Sequence, residues 1–128
     1  MNDIVVARDA FSAPFYDGAA AGQLMLRGCA RCDRRWAPAT RSCTACGAEL
    51  EWVRGRPAGV IVSWTIDPAG PEPVISAVVE LEDGPWLPGR LADAPPELVS
   101  GKLAVVVTFE YPNRQGLGER VPVFRPRD

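Results

Sequence analysis

Glycine and proline interrupt this chain so often that a long helix has nowhere to form. Twelve glycines and thirteen prolines are spread over 128 residues, and the longest stretch free of both is Met1–Ala13, followed by Val74–Asp83 and Lys102–Tyr111. In a helix interior a glycine costs about 1 kcal/mol and a proline about 3 kcal/mol relative to alanine. Breakers at this density leave room for short strands and one or two helical turns, so the predicted fold class is mainly β.

Alternation of apolar and polar residues locates the strands. Val60, Val62, Trp64 and Ile66 share one parity while Ser63, Thr65 and Asp67 share the other, which predicts a strand with the first set, Trp64 included, in the core. The pattern returns in Ile75, Ala77, Val79 and Leu81, and again in Leu103, Val105, Val107, Phe109 and Tyr111. Trp86–Leu91 and Arg120–Arg125 complete a set of five, with Pro122 placing the last at an edge. Asp93–Val99, with Pro95 and Pro96, can nucleate a turn or two of helix before the fourth strand. Five strands in this order predict an OB-type barrel. Upstream, Ser12–Ala21 reads as a short helix with Ser12 as N-cap, Pro14 in the first turn and Gly22 as its stop, weakened by Gly18.

All four cysteines lie in two C-x-x-C pairs, Cys29/Cys32 and Cys43/Cys46, separated by ten residues. Such a turn aims two sulfurs at a common point, and two of them joined by a hairpin make the four-thiolate tetrahedron that suits a structural Zn²⁺ ion. Iron in a rubredoxin-like site and a disulfide are the alternatives. Four protein ligands leave no position open for water, so the site is expected to hold structure. Gly47 suits the left-handed conformation that follows such a turn, whereas Asp33 holds the equivalent place in the first pair. Arg27, Arg31, Arg34, Arg35 and Arg41 surround the cysteines, with Asp33 as the only nearby acid. They are suited to offset thiolate charge, dock an acidic partner or meet phosphates. The chain divides into an N-terminal segment with the short helix (1–26), a Cys₄ zinc ribbon (27–54) and an OB-fold (55–128).

The catalytic inventory is poor. There is no histidine, Lys102 is the only lysine, and fourteen basic against sixteen acidic residues give a net charge of −2. The commonest general base and the Ser-His and Cys-His dyads are therefore excluded. No apolar run approaches the ~18 residues of a membrane span, and the N-terminus lacks the order of a secretory signal, which together predict a cytoplasmic protein without a membrane partner.

The order of features resembles a known family, the acyl-CoA-associated proteins first catalogued as domain of unknown function thirty-five, which join a short helix, a rubredoxin-like zinc ribbon and an OB-fold. The resemblance runs from Phe15 to Pro126 and is carried by Phe15-Tyr16-Asp17-Gly18, the two cysteine pairs, Trp36-Ala37-Pro38, Gly59–Thr65, Val78–Gly84, Gly101-Lys102, Val106–Phe109 and Val121–Pro126. Asp33, the Trp86-Leu87-Pro88 stretch and the polar insert Asn113–Glu119 depart from its pattern. Membership implies a non-catalytic accessory subunit of a thiolase-fold enzyme that condenses or cleaves acyl-CoA thioesters, of thiolase, acyltransferase or steroid side-chain aldolase type. The implied assembly is a heterotetramer. On that reading Arg34 and Arg35 are candidates for contacting the phosphates of a coenzyme A thioester. Phe11, Phe15 and Tyr16 form either an internal staple or an anchor into the partner.

A ribbon joined to an OB-fold also describes single-stranded nucleic-acid binders, and a stand-alone nucleic-acid or acyl-CoA binding module is the competing expectation. Glu80, Glu82 and Glu110 on the outward parity, with only Lys102 positive, oppose phosphate binding on the barrel.

Overall fold

A computed structural model describes residues 4–127. The helix α1 spans Ala13–Ala20, with a proline in its first turn. Ser12 makes no side-chain cap bond to it. Instead, the Asp9 carboxylate accepts the Ser12 N–H at 2.7 Å and the Ser12 hydroxyl accepts the Asp9 N–H at 3.0 Å, a reciprocal turn that feeds the chain into the helix. Gly22, with φ at +74°, ends the run. Gly18 has a packing reason: a Cβ there would lie 2.4 Å from Met25 Cγ, so the missing side chain lets the helix sit on the following strand.

That strand, β1 (Met25–Gly28), is the centre of a small antiparallel sheet flanked by β2 (Arg35–Trp36) and β3 (Glu51–Arg54). Five longer strands follow: β4 (Ala58–Asp67), β5 (Val74–Leu81), β6 (Trp86–Leu91), β7 (Ala104–Glu110) and β8 (Val121–Pro126). They close in the order β4-β5-β6-β8-β7, with β7 returning to β4. All pairings are antiparallel except the short β6–β8 seam. A 3₁₀ turn, Pro96–Leu98, lies between β6 and β7 where the prolines predict it. This is the expected OB-type barrel. Closure removes the edge assigned to Pro122, which pairs with Phe109 of β7 and lies just outside the two-residue β6–β8 seam.

The alternation of β5 and β7 is realised: Ile75, Ala77, Val79 and Leu81, and likewise Val105 and Val107, are buried. Tyr111 lies beyond the end of β7 and is exposed, outside the core expected for it. In β4 the expected face is wrong for half the strand. Ile61 is fully buried and pairs with Val79, but Ser63 pairs with Val78, so a β-bulge at Val62 shifts the register. One inserted residue exchanges the two faces, because side chains alternate with period two. Trp64 and Ile66 therefore do lie on the same side of the sheet as their partners Ala77 and Ile75. They are nevertheless 38% and 40% exposed, because β7 pairs with β4 only over Ala58–Val60, so that among the described residues the distal half of β4 has β5 on one side and no strand on the other.

The barrel core is not closed by barrel residues alone. Phe15 from α1, Leu24 just before β1 and Leu26 within it join Ile61, Val79, Val105 and Phe124 in one continuous apolar cluster. Outside it, strand parity again misleads about charge. Arg125 of β8 pairs with both Glu110 and Asp93, and Arg127 pairs with Glu82 at 3.2 Å. The polar insert is a clamp. Asn113 donates to the carbonyls of Ile4 and Leu117 and accepts from the Leu117 N–H, while the Glu119 N–H donates to the Val6 carbonyl. Arg8 then bridges Glu119 and Asp17 at 2.7 and 2.6 Å, fastening the N-terminal segment to the helix and the insert.

Gly59 sits where β4 is paired on both sides, and a Cβ there would fall 2.2 Å from the Glu80 carbonyl oxygen. Gly59→Ala is expected to destabilise the protein by about 3 kcal/mol, measured by urea unfolding.

Candidate metal centre

The two cysteine turns are near copies of one another. In the first, the Cys29 N–H donates to the Arg34 carbonyl and the Asp33 N–H to the Cys29 carbonyl; in the second, Cys43 bonds Ala48 and Gly47 bonds Cys43 in the same way. The positions after the second cysteines, Asp33 and Gly47, are both left-handed, with φ of +57° and +75°. Each turn is held by a strand: β1 leads into Cys29, β2 leaves after Arg34, and the Ser42–Glu49 bridge closes the second turn.

These turns bring all four sulfurs within 4.8 Å of one another. Metal–sulfur bonds of about 2.3 Å imply tetrahedron edges of about 3.8 Å. The Cys29–Cys46 and Cys32–Cys43 edges are 3.5 Å, so the donor set comes within a few tenths of an ångström of those two edges of a four-coordinate site. Cys29 and Cys43 are buried, and Cys32 and Cys46 are half-buried. Burial opposes ionisation of Cys43, but the N–H groups of Cys46 and Ala45, together with the neighbouring thiols, outweigh it and bring the group down to about 6. Burial and the thiols of Cys29 and Cys43 push Cys32 up to about 12. The backbone thus favours ionisation of the knuckle's leading sulfur, as thiolate ligation of a cation requires.

The arginines divide into two groups. Arg27 is 7% exposed, donates through Nε to the Thr40 carbonyl and through Nη2 to the Leu50 carbonyl, both at 3.1 Å, and lies 4.7 Å from the Trp52 ring centre. Burial and the nearby Arg41 lower its affinity for its proton. Arg41 stacks 3.8 Å from the Phe11 ring centre. Both therefore tie the ribbon to aromatic rings. Arg34 and Arg35 instead line a shallow depression of about 310 Å³ with Asp33, Trp36 and Asp83, and Arg35 approaches Asp33 at 3.6 Å. Arg31 is exposed.

The three N-terminal aromatics have unequal settings. Phe15 is in the core, edge-on to Tyr16 at 5.2 Å and to Phe109 at 6.2 Å. Phe11 packs on Trp52 at 5.8 Å, and Tyr16 is half-buried, its hydroxyl held protonated to higher pH by that burial. All three face a cleft of about 440 Å³ where helix, ribbon and barrel meet, with Trp52, Trp86 and Pro122 on its other walls. The sequence does not single out Trp52 and marks Trp86 only as a strand residue and a departure from the family pattern, because the two reach the cleft from strands distant in the chain. Asp33→Gly is expected to stabilise the protein by about 0.5–1 kcal/mol, since glycine adopts this left-handed φ without the Cβ penalty; thermal unfolding of the metal-loaded chain measures it.

The family model described as "ChsH2, C-terminal OB-fold domain" matches residues 52–110. A solved structure described as an "Ltp2-ChsH2(DUF35) aldolase" contains a chain similar to this one, with a TM-score of 0.78 and 25% identity over 94% of this chain and 98% of that chain. A protein of unknown function from the DUF35 family of Sulfolobus solfataricus superposes with a TM-score of 0.65 and 16% identity over 92% of this chain and 86% of that one, a likeness of fold. No curated protein matches the sequence. The chain is thus similar to DUF35 OB-fold proteins, by sequence over residues 52–110 and by fold over nearly its whole length, in agreement with the resemblance expected from the sequence.

Proposed function

We propose that this chain is a non-catalytic accessory subunit that binds and supports a thiolase-fold acyl-CoA enzyme. The observation that carries the reading is the near end-to-end likeness to the DUF35 chain of an aldolase assembly. The chain's own chemistry supports it: with no histidine and one lysine, it has little with which to make or break a carbon–carbon bond. The assembly is proposed to be a cytoplasmic heterotetramer built on a dimer of the large subunit.

Within that role the ion held by Cys29, Cys32, Cys43 and Cys46 is proposed to be structural Zn²⁺. It supplies cross-linking energy to a sheet whose strands are only four, two and four residues long. Phe11 and Tyr16 are the aromatics available to a partner at the cleft, while Phe15 staples the helix to the barrel. Arg34 and Arg35 are proposed to meet coenzyme A phosphates at the rim of the shared site, with Asp33 and Asp83 limiting the positive potential there. A nucleic-acid role is disfavoured because the chain's net charge is −2 and the arginines that the fold brings beside the barrel glutamates, Arg125 and Arg127, are paired with Glu110, Asp93 and Glu82.

Native mass spectrometry of the tagged chain isolated from its own cells tests both parts. The expected species contains one zinc ion per chain together with a thiolase-sized partner; zinc with no partner would overturn the accessory reading. Cys43→Ser is expected to lose the metal. Arg34→Glu combined with Arg35→Glu is expected to weaken acyl-CoA binding by the assembled complex about tenfold, measured by calorimetry. An unchanged affinity would remove these arginines from the site.

A further inference from the structure

Charge is divided sharply along this chain. Between Arg27 and Arg56 there are seven arginines and three acids, whereas from Pro57 to Gly89 there are five acids and no lysine or arginine. The second stretch contains the β4–β5 hairpin, in which the distal part of β4 from Ser63 and the connecting loop to Val74 form an arm beyond the pairing with β7, while β5 stays paired with β6 from Ile75 to Glu80. Every residue from Ser63 to Val74 is exposed. Trp64 and Ile66, 38% and 40% exposed, share the face of Ala77 and Ile75, while Val74, 46% exposed, lies opposite Asp67 on the other face. Asp67 and Glu72 are the only charged residues of the arm, and both are acidic.

The arm is also built to keep its shape. The Asp67 carboxylate accepts the Ala69 N–H at 3.0 Å, and Pro68, Pro71 and Pro73 restrict the connecting loop. The Val62 bulge fixes which face Trp64 presents. At its base, Arg90 of β6 pairs with Ser76 in register but turns toward Glu110 at 4.0 Å, and Lys102 bonds the Ile61 carbonyl through its backbone N–H. A preformed apolar surface with a wholly acidic rim incurs little ordering entropy on docking and repels acidic partners.

We infer that the β4–β5 arm is a docking element whose occupant is an apolar strip edged with lysine or arginine on the large acyl-CoA enzyme. The inference rests on the accessory-subunit reading and adds to it the part of this chain that makes contact. Trp64 and Ile66 supply the buried anchors and Asp67 and Glu72 the complementary charge. The ribbon, with its opposite charge, lies on another part of the chain and is left free for ligand or metal.

The test uses the full-length zinc-loaded chain and the enzyme that co-isolates with it, with affinity read by calorimetry. Trp64→Ala with Ile66→Ala is expected to weaken association about 30-fold or more. Asp67→Lys with Glu72→Lys is expected to weaken it about tenfold at low salt, with the difference from wild type shrinking as ionic strength rises. Arg31→Glu should leave it unchanged. Because all four arm side chains are exposed, the variants should retain zinc and their circular dichroism; hydrogen exchange on the wild-type complex, expected to protect residues 63–74, gives a readout independent of any variant. Affinity unchanged in both arm variants, or no protection of 63–74, would overturn the arm while leaving the accessory reading intact. Absence of any co-isolating enzyme would overturn both. Self-association of the isolated chain that disappears in the arm variants while enzyme binding persists would make the arm a contact between copies and would also overturn the proposal.

Discussion

Three side chains from outside the barrel complete its core, and the rest of the structure depends on their being held there. Phe15, Leu24 and Leu26 are buried against Ile61, Val79 and Phe124. They are delivered by an eight-residue helix and a four-residue strand, neither of which is stable alone in water. Two glycines make the approach possible. Gly18 admits Met25 beneath the helix, and Gly55 admits Leu26, whose Cδ1 would lie 2.5 Å from a Cβ at that position. Fixing β1 is therefore the central task of the ribbon. Its sulfur tetrahedron does this from one end of the strand, and Arg27, bonded to Thr40 and Leu50, does it from the strand itself. Ribbon and barrel share one core, although the chain reads as separate modules.

Much of this architecture was legible because short-range patterns specify it. Two C-x-x-C turns with left-handed residues behind them place four sulfurs together by local geometry alone, and unbulged strands such as β5 display their buried face directly. The reading failed where a single residue or a distant strand decides the outcome. Val62 reverses the faces of β4, so Ile61 replaces Val60 and Val62 as the core residue, while Trp64 keeps the core-facing side and is exposed because β7 does not reach it. No alternation rule carries that information, because the bulge is a property of the β4–β5 pair. Likewise, Glu110 and Glu82 look unpaired along their own strands until β8 brings Arg125 and Arg127 beside them. The arginines around the cysteines form one cluster in sequence but have different settings in space, Arg27 and Arg41 against aromatic rings and Arg34 and Arg35 at an open depression.

These placements shape what the molecule is suited to do. The four-cysteine cluster, the buried Arg27 and the shared core join ribbon and barrel in one body, while the surface holds a basic ribbon, an aromatic cleft and an acidic hairpin. None of the described residues forms a recognisable nucleophile and base pair. Such a body is suited to shape and stabilise another protein's site. Among the described residues no helix is long and apolar enough to cross a membrane.

The most direct test of the accessory role is turnover of an acyl-CoA thioester by the co-isolating enzyme, titrated with the purified zinc-loaded chain. The account predicts no turnover by this chain alone and an increase in the enzyme's rate that saturates at a fixed subunit ratio. Turnover by the isolated chain, or an enzyme rate indifferent to its addition, would contradict it.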